Sequence, residues 1–381
     1  MKKFLDCISI VGATPSKFHG TKKYISTGAV ATTEIDESEV VEVTYEDRPS
    51  RANLSAEAGD ILFAKMQGTR KTLLLDSETE KNIYSTGFYA VRANPEVITT
   101  ECLYYLIDSE LFLAQKDKNC SGATQKAITN GGMAKIEISV PPLSEQGILV
   151  DKLKHLTQLI ADKKKQLNLF DEIIKSRFIE MFGDPKLNPR KWDMVTIGDI
   201  ATDVRYGTSR PATEGGKYPY LRMNNLTYEG HLDLTDLKRI DIPDNEIEKC
   251  VVRNGDVLFN RTNSVELVGK TCVYNLDSDM IIAGYIIRVR IDDRVLPVIL
   301  SSYLNSTVMK EQLRSMAKGA VNQANINAQE LRSISIYLPP ITLQHEFATF
   351  VEQVDKSKFE IQQSLEKLEI LKKSLMQQYF G

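Results

Sequence analysis

Apolar residues recur at alternating four- and three-residue steps from Ser144 to Phe182 and again from Thr342 to Phe380, the spacing of a helix that buries one seam. The first run places Leu149, Leu153, Leu156, Ile160, Leu167, Phe170, Ile174 and Met181 on this grid, with Lys163 and Arg177 interrupting it. The second places Phe347, Val351, Val354, Ile361, Leu365, Leu368, Leu375 and Tyr379, interrupted by Lys358 and Lys372. Neither run contains proline, and its sole glycine, Gly147, falls in a first turn, where the helix cost is small. At 1.5 Å per residue each helix reaches about 58 Å, too long for one small core. A 3.5-residue repeat sustained over five heptads favours a coiled-coil seam over two separate amphipathic helices. An antiparallel pair is expected, because each helix leaves the end of a similar domain.

That similarity is legible upstream. Gly59-Asp60-Ile61-Leu62-Phe63 recurs as Gly255-Asp256-Val257-Leu258-Phe259, and Gly87-Phe88-Tyr89 aligns approximately with Gly284-Tyr285-Ile286. Ile136 to Pro142 matches Ile334 to Pro340, an alternating strand stopped by a double proline. A chain that repeats itself over most of its length folds as two copies of one unit. The expected fold class is therefore α+β, with two similar domains separated by a long antiparallel two-helix coiled coil and a pseudo-two-fold internal repeat. The expected divisions are a first domain over 1–143, a central helix over 144–183, a second domain over 184–340 and a C-terminal helix over 341–381.

Composition narrows the function only by exclusion. With 381 residues and 42% hydrophobic content, the chain is long enough for two or three folded domains. Its longest apolar stretches, such as Val295 to Leu300, fall far short of the roughly 20 residues that span a bilayer. Without a signal-like apolar core after Met1-Lys2-Lys3, a cytoplasmic protein is expected. Cys7, Cys102, Cys120, Cys250 and Cys272 are odd in number and widely spaced, which suits buried thiols better than disulfides or zinc ligands. A net charge of −3 does not by itself reveal a nucleic-acid binder, so any basic surface must be local.

The layout resembles a type I restriction-modification specificity (S) subunit. The match is carried by Pro141-Pro142-Leu143-Ser144-Glu145-Gln146, by Arg177-Phe178-Ile179-Glu180-Met181-Phe182-Gly183-Asp184-Pro185, by Trp192 to Val195 with Ile197 to Ile200, by Tyr218-Pro219-Tyr220 and by the closing Tyr379-Phe380-Gly381. The resemblance implies that each domain is a target-recognition domain reading one half of a split double-stranded DNA sequence. It also implies that the repeated helices set the separation and dock methylation subunits, expected to be two, alongside restriction subunits. No cofactor is then expected on this chain, and S-adenosylmethionine, ATP and Mg belong to the partners. Lys175, Glu180, Glu369 and Lys373 are candidate partner contacts on the charged outer faces. One departure stands out. The second copy opens with Trp192 to Ile200, whereas aligning Gly12 with Gly207 leaves the first copy without its opening strand.

Catalytic patterns are incomplete. Gly269-Lys270-Thr271 resembles the end of a phosphate loop, but Ser264 stands where its first glycine is required. His345-Glu346 opens like a zinc-protease helix, yet Thr349 replaces the second histidine. The four histidines, His19, His155, His231 and His345, offer no metal-ligand spacing. A non-catalytic chain without a metal site is expected.

Sequence readout of DNA needs Arg, Lys, Asn and Gln that reach base edges, with small polar groups on phosphates. In the first copy the candidates are Lys22, Lys23, Lys65, Gln67, Thr69, Arg70, Lys71, Thr124, Gln125 and Lys126. In the second they are Arg205, Tyr206, Thr208, Arg210, Arg222, Asn224, Asn225, Arg261, Asn263, Ser264, Lys318, Asn322 and Gln323. Any one of these could be an ordinary solvated turn residue; their recurrence at matching places in both copies favours a shared role. Two rival readings are the specificity subunit of a different two-part restriction system and a coiled-coil adaptor that does not read DNA. Salt-dependent, sequence-selective binding separates the latter from a DNA reader.

Overall fold

A computed structural model describes residues 1–317 and 324–381. The two long helices form as Leu143–Phe182 and Ile341–Phe380. All the seam positions named above, including the interrupting Lys163, Arg177, Lys358 and Lys372, are buried or half-buried. Residues 1–164 with 363–381 make one compact unit and residues 165–362 another, so each long helix contributes to both.

In the first unit, one sheet has the order Val41–Val43, Lys22–Ile25, Ile83–Ser85, Ala52–Leu54, its middle pair parallel. The other is antiparallel, in the order Ile8–Val11, Phe88–Ala93, Ile61–Ala64, Thr72–Leu74. The second unit repeats both orders with Lys238–Ile240, Tyr218–Leu221, Met280–Ile282, Val251–Val252 and with Ala201–Tyr206, Ile286–Ile291, Val257–Asn260, Thr271–Val273. The recurrent Gly-Asp turn has a physical reason. Asp60 and Asp256 are almost fully buried; each accepts a backbone N–H three residues earlier, from Glu57 or Arg253, and an arginine Nε, from Arg92 at 2.6 Å or Arg290 at 2.8 Å.

The helices meet the domains antiparallel to one another in each unit. In the first, Leu149 and Leu153 near the start of the central helix share a core with Met376 and Phe380 near the end of the C-terminal helix. In the second, Phe178 and Phe182 pack their rings on Phe347, each centroid pair 5.5 Å apart.

Two expectations need correction. The first copy does not lack its opening strand. Lys2–Lys3 pairs antiparallel with Glu137–Ile138 just as Asp193–Thr196 pairs with Ser335–Leu338, and Phe4 N donates to Ile136 O as Ile197 N donates to Ile334 O. The strand is short, and it lacks a tryptophan that would have signalled it. The glycine alignment is also off by one. Ala64 faces Phe88 while Asn260 faces Ile286, so Gly87 corresponds to Tyr285 and not to Gly284.

The segment Pro-Pro-x-x-x-Gln acts as a clamp. Gln146 has no exposed surface; its Oε1 accepts from Thr99 N at 2.7 Å, and its Nε2 donates to Val97 O and Pro141 O. Gln344 does the same with Leu296 N at 2.8 Å, Arg294 O and Pro339 O. Each glutamine joins the start of a long helix to the turn before a helix of its domain, Thr100–Ile107 or Pro297–Asn305. Gln344→Ala strands three buried backbone groups. It is expected to destabilise the second unit by about 1–3 kcal/mol, read as a lower urea midpoint, and an unchanged midpoint would contradict the clamp.

Candidate nucleic-acid interface

The loops that follow the Gly-Asp strands are built alike. Lys65 and Arg261 occupy equivalent positions, one residue beyond Ile61–Ala64 and Val257–Asn260. Lys65 Nζ lies 4.4 Å over the Tyr89 ring and donates to Thr86 O at 2.8 Å, and burial lowers its pKa. The Arg261 guanidinium lies 4.9 Å over the Tyr206 ring, with Nη1 3.5 Å from the equivalent carbonyl, Gly284 O. Arg261 Nε is buried and has no hydrogen-bond partner. An aromatic face holds such a cation through its quadrupole while leaving N–H groups free for another acceptor.

Each of these loops is joined to a second segment: in the first unit the predicted loop that ends at Lys126, in the second the residues Ala324–Asn325. In the first unit, Met66 and Ser121 both bridge to Ala127, and Gln67 N donates to Lys126 O at 2.9 Å. In the second, Thr262–Asn263 pairs with Ala324–Asn325, and the Thr262 hydroxyl meets Asn325 Oδ1 at 3.0 Å. Thr124, Gln125 and Lys126 are exposed on the first surface, as is Ser264 on the second, with Asn263 half-buried beside it. Lys318, Asn322 and Gln323 lie outside the described residues.

Beside Arg261 a cleft of about 420 Å³ is lined by Tyr206, Gly207, Thr208, Ser209, Glu246, Lys249, Cys250 and Gly284. A Cβ at Gly207 would collide with the carbonyls of Ile282 and Ala283, so glycine lets the strand end run close against its neighbour. The Tyr206 hydroxyl accepts from Ala328 N at 2.7 Å, fixing the ring beneath the guanidinium. Lys249 and Tyr285, the latter 49% exposed, were not among the predicted residues. Lys249 closes the short helix Asp244–Cys250, and Tyr285 had registered only as part of the repeat.

Other predicted residues have internal partners. Arg70 grips Asp108 through two bonds of 3.1 and 3.0 Å, Arg210 grips Glu246 at 3.2 and 2.7 Å, and Arg222 reaches Asp236 at 2.7 Å. Arg205 pairs with Asp203, which also receives the buried Arg288. Lys22 and Lys23 stand on the strand Lys22–Ile25, Lys22 over the Phe18 ring and Lys23 paired with Glu37. The Thr69 carbonyl accepts from the buried Lys116, and Thr208 is buried at a strand end. Asn224 is exposed, whereas Asn225 is buried and closes a loop by donating to Asp233 O. Lys71 donates to Thr27 O at 2.6 Å, and its counterpart Lys270 donates to the equivalent Met223 O at 2.7 Å. Both lysines therefore turn into their own domains.

Among the proposed partner contacts, Lys175 pairs with Glu172, Glu180 with Arg177, Glu369 with Lys164 and Lys373 with Glu110. All five cysteines are free thiols, four buried and Cys120 half-buried. Among the described residues, no cluster of His, Cys, Asp or Glu is placed to hold a metal ion, and no helix is long and apolar enough to cross a membrane.

A duplicated α+β unit, each copy ending in a long helix that runs on into the other unit, defines the class of protein. The family profile described as type I restriction modification DNA specificity domain matches residues 10–169 and 189–372. The chain belongs to that family. It is similar to the EcoKI specificity subunit of Escherichia coli K12, 25% identical over 285 residues, covering 70% of this chain and 61% of that protein. It is also similar to the putative MjaX specificity subunit of Methanocaldococcus jannaschii, 29% identical over 50% of this chain and 46% of that one, and to the StySPI specificity subunit of Salmonella potsdam, 23% identical over 84% and 74%. The chain thus spans about half to three-fifths of the first two relatives' length. The fold is shared with a chain from a structure of type I R-M complex assembly and conformational transition, TM-score 0.57 at 22% identity, covering 98% of this chain and 97% of that one. It is shared as well with the S subunit of M. genitalium, TM-score 0.51 at 14% identity, covering 100% and 95%.

The geometry separates lysines that brace the fold from lysines that face outward. Lys71→Met is expected to lower stability by about 1 kcal/mol, the scale of one internal hydrogen bond. Lys126→Met should stay within about 0.5 kcal/mol of the parent. Paired urea titrations check the difference, and equal midpoints would show that the Lys71–Thr27 bond contributes nothing.

Proposed function

We propose that this chain is the DNA-specificity subunit of a type I restriction-modification complex, in which each domain reads one half of a bipartite double-stranded target. The observation that carries this reading is the duplication of one surface: a cation held over an aromatic ring at a strand end, Lys65 on Tyr89 and Arg261 on Tyr206, beside two joined polar loops. Such a surface offers donors for base edges and charge for phosphates, and two copies suit two half-sites.

Methylation and restriction subunits supply the chemistry in this reading, with S-adenosylmethionine, ATP and Mg bound by them. Docking on the long helices is supported by exposed apolar side chains, Leu169, Ile173, Ile179 and Phe359 in the second unit and Ile370 and Leu371 in the first. Lys175, Glu180, Glu369 and Lys373 lie within a turn or two of these positions and give the face its charged rim.

The decisive experiment uses the assembled complex and DNA altered in one half-site at a time. Lys65→Ala and Arg261→Ala should each weaken binding by about 1–3 kcal/mol, with altered base preference in different halves. Loss of preference in the same half, or in neither, would refute the two-reader scheme. Purified chain incubated with S-adenosylmethionine and target DNA, free of partners, should transfer no methyl group, and measurable transfer would place the chemistry on this chain.

A further inference from the structure

Lys358 interrupts the apolar seam of the C-terminal helix, and the second unit gives it a use. Its Nζ lies 2.7 Å from Asp171 Oδ1 on the central helix and 2.8 Å from Nε2 of His231, while that same Nε2 lies 2.8 Å from Asp171 Oδ1. The side chains of Lys358 and Asp171 keep only 16% and 15% of their exposure. Burial pushes the Asp171 carboxyl up, but hydrogen bonds from His231 and Lys358 outweigh it and hold the group below its ordinary value. Asp355 and Glu229 line the same cavity, and Lys175 and Asp184 complete its charged groups.

This triangle joins three elements: both long helices and the segment that carries His231. The segment is stiff. Thr227 N donates to His231 O at 2.9 Å, His231 N donates back to the Thr227 hydroxyl at 3.1 Å, and Asn225 and Asp233 close its neck with bonds of 2.7 and 2.8 Å. The neck is continuous with the candidate reading residues, since Arg222 N donates to Asn225 Oδ1 and the Arg222 guanidinium reaches Asp236. The Tyr228 hydroxyl accepts from Arg314 at 2.9 Å. The corresponding hairpin of the first domain, Val30–Ala31 with Glu34–Ile35, contains no histidine.

We propose that His231 is a positioning residue for the second DNA-reading domain: by bonding to one member of the Asp171–Lys358 pair at a time, it holds the segment Leu226 to Leu232 to the long helices and so keeps the adjoining loop of Arg222 and Asn224 in place. The inference rests on the proposed DNA-reading function. The triangle makes its stability depend on hydrogen-bond roles and not on packing alone. A carboxylate only accepts and an ammonium only donates. A single imidazole nitrogen cannot donate to Asp171 and accept from Lys358 at once, so one edge is always unmade. A glutamine amide separates the two roles on two atoms and can serve both partners. A cavity of about 690 Å³ adjoins the triangle, so a released segment has space to shift.

The test uses the full complex with its methylation subunits and measures methylation of DNA carrying single-base changes in either half-site. His231→Phe, which keeps a ring but removes both polar roles, should relax discrimination about tenfold in the half read by the second domain, the scale of one base contact. Discrimination in the other half should hold. His231→Gln should restore the parent's selectivity to within about twofold, which a purely packing role would not predict. If the phenylalanine variant fails to assemble, Asp171→Ala, which removes the acceptor of both His231 and Lys358, should give the same one-sided relaxation in the same assay. Equal loss in both halves, unchanged discrimination in an assembled variant, or a glutamine variant as relaxed as the phenylalanine one would each overturn the positioning role. A parent complex without sequence preference would instead overturn the DNA-reading function, so the two failures are distinguishable.

Discussion

A glutamine with no exposed surface fixes the direction in which each long helix leaves its domain. Gln146 and Gln344 satisfy a backbone N–H and two backbone carbonyls apiece, and the preceding prolines cannot continue a strand or supply a donor. The helix therefore starts at one place and one angle with respect to the turn before Thr100–Ile107 or Pro297–Asn305. The aromatic cluster Phe178, Phe182 and Phe347 then holds the antiparallel contact in the second unit, and Leu149, Leu153, Met376 and Phe380 hold it in the first.

Periodicity made the helices legible. A seam position declares itself in sequence because burial follows a fixed step, and even the interrupting lysines obey it. Lys358 meets Asp171 and His231, and Lys372 lies 5.9 Å from the Tyr105 ring. What such a lysine touches was not legible, because its partners lie on other elements far along the chain. The short strand Lys2–Lys3 was missed for a related reason: two residues carry no alternation, and the element is marked by its pairing with Glu137–Ile138 and the bond from Phe4 N to Ile136 O.

The site was legible as loops but not as roles. Polar composition located the loops around Lys65 and Arg261 and the first unit's loop ending at Lys126, which pairs with the first of them. It could not show that Lys71 donates to a carbonyl 44 positions earlier, that Arg70 is held by Asp108, or that Asn225 closes a turn. Those bonds are set by tertiary contacts. Conversely, Tyr206 under Arg261 and Tyr89 under Lys65 come from non-corresponding strands of the equivalent sheets, the edge strand in one domain and the adjoining strand in the other. No spacing rule links them.

The same pattern of partners bears on the proposed DNA surface of a chain whose net charge is −3. Many of its arginines neutralise carboxylates within the fold: Arg92 with Asp60, Arg290 with Asp256, Arg288 with Asp203, Arg70 with Asp108 and Arg210 with Glu246. Such pairs fix backbone geometry and contribute little field beyond a Debye length. In the proposed function the arginines held in these pairs are not available to phosphates, and the salt dependence of binding counts only the phosphates that the remaining cations neutralise. Specificity and affinity separate on this view. In the proposed function the domains discriminate through preorganised donors such as Arg261 over the Tyr206 ring, while phosphate attraction is set by the cations that stay outside internal pairs.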